Sequence, residues 1–147
     1  DRPRPDGTGL GVALSVDVGT CVAQVSEVTI GDRGPRVERA WVAIDPGLIV
    51  NPDGVRQQVE GSVAWGVGSL LGEEVRIEEG ALAPGNFDRY RLARASDVPD
   101  VDVILIEGGD EPHGVGEPPL GPVAASIANA IVAAGGPRVR TMPGRFG

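Results

Sequence analysis

An α+β fold, with a mostly antiparallel or mixed sheet packed against two main helices, is predicted by three observations. Residues 21–30 and 36–44 alternate apolar and polar positions on either side of a Gly/Pro break, the pattern of an antiparallel hairpin. Residues 52–71 carry valine at four-residue spacing behind an Asn-Pro start, the pattern of an amphipathic helix. Residues 120–134 form an apolar run closed by Gly135, Gly136 and Pro137, a second helix with its stop signal.

Taken in order, residues 1–8 are rich in Arg, Pro and Gly and are predicted to be a loose entry segment. Residues 21–30 (CVAQVSEVTI) place Val22, Val25, Val28 and Ile30 along a strand, with Cys21 expected as a small core residue. Residues 31–35 supply a long turn before the second strand. Asn51 is the expected N-cap of the first helix and Pro52 its first residue. Val55, Val59, Val63 and Val67 form its apolar stripe, closed by Leu70 and Leu71. Gly61, Gly66 and Gly68 each cost ~1 kcal/mol relative to Ala inside a helix. So many glycines imply close approach by another backbone or by a ligand. Residues 73–77 and 101–106 are further strand candidates, the latter (VDVILI) expected to be buried. Residues 86–91 read as an edge strand packing Phe87 and Tyr90 inward. Residues 144–147 are left as a tail.

At 147 residues the chain is one domain's worth, long enough to bury about two-thirds of its unfolded surface. A net charge of −8 speaks against nucleic acid or an anionic membrane surface as partner, because both require clustered positive charge. No apolar run approaches the roughly 20 residues needed to span a bilayer, and no signal-peptide pattern opens the chain. It begins at Asp1 without methionine, so a fragment or a processed subunit is expected. A cytoplasmic location is the default expectation, with a periplasmic one open.

The absences narrow the chemistry. All 13 basic residues are arginine, so there is no lysine for a Schiff base or a Walker-type phosphate loop. Cys21 is the only cysteine, which excludes an internal disulfide and Cys-rich metal sites. His113 is the only histidine, and no G-x-S-x-G elbow accompanies it. Demanding chemistry must therefore come from a cofactor.

Glu117 is the leading candidate residue. It lies in Gly114-Val115-Gly116-Glu117-Pro118-Pro119-Leu120-Gly121, a stiff loop at the mouth of the last helix. One reading is a solvated loop carboxylate, stabilised by ~0.3–1 kcal/mol from the positive end of that helix. The other is a general base, whose direction the glycines and prolines hold. Gln58 borders the apolar stripe of the first helix. It is either an amide at the edge of the core or a ligand-binding amide offering donors and an acceptor together. His113 beside Asp110 and Glu111 makes a weak metal motif, and no metal ligand is assigned to it. The doublets Glu73-Glu74 and Glu78-Glu79 read as solvated faces or turns.

The ordered motifs AxVSEV (residues 23–28), NPDGVRQQVEG (51–61), NFDRYRL (86–92) and GVGEPPLGPVAASIANAI (114–131) resemble the molybdenum hydroxylases, the xanthine dehydrogenase/aldehyde oxidase family. The resemblance is to the C-terminal part of the molybdopterin-binding subunit and covers nearly the whole chain. It implies that residues 9–143 form a C-terminal molybdopterin-binding domain with part of a cofactor cradle. It also implies that Glu117 is the catalytic base of an oxidative hydroxylation at an aldehyde, purine or N-heterocycle carbon. Gln58 then contacts the pterin, and Gly116 and Pro118 shape the loop on the cofactor side. The molybdenum cofactor is shared with the rest of the molybdopterin-binding subunit, while FAD and [2Fe-2S] clusters belong to partner domains or subunits. The chain alone is expected to be inactive. Two other readings stand beside this one: a non-catalytic assembly module with the same fold, and an unrelated small α+β binding domain.

Overall fold

The computed structural model describes residues 6–83, 86 and 88–146. The elements run β1 (Thr8–Asp17), β2 (Thr20–Gly31), β3 (Gly34–Asp45), α1 (Pro52–Leu71), β4 (Ile77–Glu78), β5 (Ala81–Leu82), β6 (Asp100–Leu105) and α2 (Gly121–Ala133). Short 3-10 turns lie at Ala95–Asp97 and Pro118–Leu120. Four strands form one sheet in the order β1-β2-β3-β6. The first three pair antiparallel, while β6 runs parallel to β3. A parallel neighbour requires a long crossover, and α1 lies within it. The α+β class and the mixed sheet are as predicted.

Both helices cover one face of the sheet, α2 over β1 and β2 and α1 over β3 and β6. Asn51 caps α1 by accepting the Gly54 N–H at 3.1 Å, and Pro52 occupies a position whose N–H would have no partner. The stripe Val55, Val59, Val63, Val67 and Leu70 is buried, against Val22, Val42 and Ile44 of the sheet and Val123, Ile127 and Ile131 of α2. Gly135 at φ +89° ends α2, with Gly136 N–H donating to the Ile131 carbonyl at 2.8 Å.

No strand is predicted over residues 8–17, yet β1 is ten residues long. Gly9 and Gly11 obscure its pattern, since glycine is depleted in strands. Their purpose is close packing: a Cβ on Gly9 would land on the backbone at Ala130, Ala133 and Ala134, and one on Gly11 on the backbone at Ser126, Asn129 and Ala130. Gly66 serves the same end in α1, where a Cβ would lie 2.5 Å from Val123 Cγ1. Gly68 abuts Glu73 and Ala93, whereas Gly61 faces open space. Close approach therefore explains two of the three helix glycines.

Several strand expectations are corrected. β6 is an edge strand covered by α1 on one face only, so Val101, Val103 and Leu105 are half-buried and Ile104 is exposed. Residues 73–76 are irregular, because Glu73 N–H joins the helix end at the Gly68 carbonyl. Only Ile77–Glu78 pairs with a neighbour, across a turn with Glu79 and Gly80 at positive φ. Residues 88–91 form no strand. Tyr90 instead donates to Glu73 Oε2 at 2.8 Å, and this bond raises the phenol above its ordinary pKa. Phe87 lies outside the described residues. Cys21 is exposed. The alternation of β2 directs Thr20, Val22, Gln24, Ser26 and Val28 to the helices and Cys21 to the opposite face.

Both ends of the described residues join the fold. The Gly7 carbonyl accepts from Ile30 N–H, and Gly144 N–H donates to the Leu70 carbonyl. Buried polar groups tie the sheet to α2: Gln24 Nε2 donates to Ser26 Oγ, which meets Ser126 Oγ at 2.8 Å, and Ser126 donates to the Val123 carbonyl. Gln24 Oε1 has no partner among the described residues.

Candidate active site

The segment after β6 is fastened to the segment after β3. Asp45 Oδ1 accepts from Gly47 N–H and Gly108 N–H, and Leu48 N–H donates to the Glu111 carbonyl. His113 N–H donates to the Pro46 carbonyl at 2.9 Å. The His113 ring packs on Gly19 and Gly47, both at positive φ, where any side chain would collide with the imidazole or the Glu111 carbonyl. Among the described residues, no three His, Cys, Asp or Glu side chains are grouped to hold a metal ion.

Beyond His113 the loop is held at every second carbonyl by a hydroxyl from a different element. Thr20 Oγ1 of β2 donates to the Gly114 carbonyl at 2.6 Å. Ser62 Oγ of α1 lies 2.6 Å from the Gly116 carbonyl and 2.9 Å from the Gln58 carbonyl, its one proton favouring the shorter contact. Ser15 Oγ of β1 donates to the Pro118 carbonyl at 3.3 Å. Pro118 and Pro119 are buried and open the 3-10 turn, which Leu120 N–H closes on the Glu117 carbonyl at 2.9 Å. Proline at these two positions stiffens the exit, and neither lacks a needed donor, because the first turn of a helix leaves its N–H groups unpaired.

Glu117 itself is exposed, and its side chain makes no capping bond to the turn that follows. Rigid backbone therefore carries a free carboxylate. Gln58 is exposed on α1 beside the loop, and a Cβ placed on Gly116 would lie 3.6 Å from its Oε1. Gln58 and Gly116 are therefore neighbours, and Glu117 follows Gly116 directly along the loop. Pro118 differs in being buried. Ser15, Thr20 and Ser62 are not found by sequence reasoning, because isolated hydroxyls in two strands and a helix carry no motif.

The surface beside the loop offers an amide, an open glycine backbone and a carboxylate. The profile of the molybdopterin cofactor-binding domain family matches residues 6–99, and the chain belongs to that family. The Glu117 loop lies beyond the matched residues. The isoquinoline 1-oxidoreductase subunit beta of Brevundimonas diminuta is 35% identical over 95% of the chain. The membrane-bound aldehyde dehydrogenase [pyrroloquinoline-quinone] of Gluconacetobacter polyoxogenes is 36% identical over 85% of it. The chain spans only 18% and 16% of these two relatives. The crystal structure of quinoline 2-oxidoreductase from Pseudomonas putida 86 superposes with a TM-score of 0.68 at 26% identity, over 78% of this chain and 15% of that one. No helix among the described residues is long and apolar enough to cross a membrane.

Proposed function

We propose that this chain is the part of a molybdenum hydroxylase that presents the catalytic base, Glu117, to a substrate carbon undergoing oxidative hydroxylation. The substrate class is an aldehyde, a purine or an N-heterocycle. The observation that carries this reading is the exposed Glu117 carboxylate on a loop held at three carbonyls, next to the exposed Gln58 amide. A general base needs a positioned backbone and a free carboxylate oxygen, and this arrangement supplies both.

The residues present fit one edge of a pterin cofactor. Gly116 leaves its backbone open on the side of Gln58, and the amide offers donors and an acceptor to a heterocycle edge. The cofactor, when bound, supplies the two-electron oxidation that no side chain of this chain can perform. The chain's own share is to hold one edge of the group through Gln58 and Gly116 and to accept a proton at a Glu117 carboxylate oxygen. Pro118 braces the loop from beneath. The other cradle contacts, the substrate pocket, and the iron–sulfur and flavin centres that carry electrons away fall to other parts of the assembly. The test is Glu117→Gln in that assembly, with turnover read against molybdenum and pterin content.

The hydroxyls give a second, independent prediction. Ser62→Ala frees the Gly116 carbonyl next to the base while leaving the carboxylate in place. Misplacing a reacting group by ~1 Å costs up to about 10²-fold, so kcat of the assembled enzyme is expected to fall by about 10- to 100-fold at unchanged pterin content. Ser62→Thr, which keeps the hydroxyl, is expected to recover most of that loss. Wild-type kcat in Ser62→Ala would remove the hydroxyl from the positioning of Glu117.

A non-catalytic assembly module is favoured by one observation, the large exposed apolar area on the sheet. It predicts a stable complex containing neither molybdenum nor pterin.

A further inference from the structure

The sheet has helices on one face only, and its other face is apolar through the middle. Register places Leu14, Ala23, Ala43 and Ile104 in one row across all four strands. The next row holds Val12, Val25, Trp41 and Asp102, and the row on the other side Val16, Cys21 and Asp45. Leu14 and Val16 are each 70% exposed, Val12 63% and Ile104 54%. Strands with one wet face normally alternate apolar-in and polar-out. Here the outward positions at the middle of the sheet are apolar instead, as in a sheet covered on both sides. Charge enters at the two ends of the face: Arg39 bridges Asp100 and Asp102 and lies over the Trp41 ring at one, and Asp45 closes the Val16–Cys21 row at the other. Soluble monomers rarely expose contiguous apolar patches above a few hundred Å².

Two observations say what covers this face. First, the apolar surface is continuous with the candidate site. It passes from Val16 to Val18, which is 63% exposed at the β1–β2 turn and lies 3.1 Å from where a Cβ on Gly114 would sit. Second, the relatives carry the equivalent of this chain in under a fifth of their length, so a much larger body exists in them to complete the cradle beside Glu117. We infer that the outer sheet face is the docking surface for the rest of the molybdopterin-binding subunit. The seated layer is aliphatic at its centre, and it reaches the Glu117 loop past Val16 and Val18. This inference rests on the functional reading above and deepens it by naming the surface.

Cys21 provides the probe, since it is the only cysteine and lies exposed within the face. Its alkylation by a maleimide is followed by mass spectrometry of its peptide, in the chain alone and in the assembled subunit. Protection of about 100-fold or more on assembly is expected. Leu14→Asp and Ile104→Asp are expected to restore reactivity and to release the chain or loosen its seat. Ile77→Asp, at an equally exposed residue off this face, is expected to do neither. Equal Cys21 reactivity in the two states would overturn the inference. So would protection that rises with the concentration of the chain alone, because a second copy would then be the occupant. The two readings fail separately. A complex that protects Cys21 but holds no pterin ends the hydroxylase reading and keeps the surface. Pterin-loaded, Glu117-dependent turnover with Cys21 unprotected does the reverse.

Discussion

Replacing Glu117 by Gln in the assembled enzyme is expected to lower kcat by about 10²–10⁴-fold, the usual contribution of a general base. Glutamine matches glutamate in size, so the loop conformation survives. The side chain is exposed and makes no capping bond, so stability should change by no more than about 0.5 kcal/mol. What is lost is a basic oxygen, since a carboxamide does not accept the proton at neutral pH. Molybdenum and pterin per chain should stay at wild-type levels, because the proposed function gives the cofactor edge to Gln58 and the Gly116 backbone and not to Glu117. Dye-coupled turnover measured alongside metal and pterin analysis checks each part. Normal turnover in Glu117→Gln would return the residue to the standing of a solvated loop carboxylate. Lost turnover together with lost pterin would give Glu117 a structural part in cofactor retention instead.

The second large effect is on the fold. Gly11→Ala is expected to destabilise the chain by about 3 kcal/mol, at the upper end of the usual overpacking range. That corresponds to a fall in Tm of roughly 10 °C for a domain of this size. The added methyl would meet the Ser126 carbonyl and the Ala130 amide, which are backbone atoms and cannot rotate away. Helix α2 has little room to retreat, because Val123 is seated against Gly66 and Ser126 is bonded to Ser26. Gly61→Ala is the matched control. Its Cβ would meet nothing within 4 Å, and replacing a mid-helix glycine by alanine stabilises by ~1 kcal/mol. Thermal melts of the two variants should therefore move in opposite directions. A Tm for Gly11→Ala within a degree or two of wild type would show that β1 and α2 are less closely packed than described.

The contrast between these glycines marks how far a sequence can be read. All three helix glycines look alike in the one-dimensional pattern, and only the packed structure separates Gly61 from Gly66. Helix α1 was legible because its signals are local: Asn51 caps a group three residues away, and valines four residues apart share a face. β1 was illegible because its glycines answer to a helix more than a hundred residues later. The misread strand at residues 86–91 has the same origin, since Tyr90 is claimed by Glu73 across 17 residues.

The site divides along the same line. Glu117, Gly116 and Gln58 could be picked out from a stiff loop, an amide at the edge of a stripe and an ordered set of motifs. The hydroxyls that hold the loop could not, for Ser62, Thr20 and Ser15 act on carbonyls 54, 94 and 103 residues away. By itself the amino-acid order determined the helices, the hairpin and a carboxylate in a loop with little freedom, because capping, turn chemistry and periodicity act over a few residues. Tertiary structure alone decided that three hydroxyls aim that loop, that two glycines let α2 lie against the sheet, and that an apolar sheet face is left outward. Those outcomes depend on which distant segments come within van der Waals or hydrogen-bond range, and no local pattern encodes that.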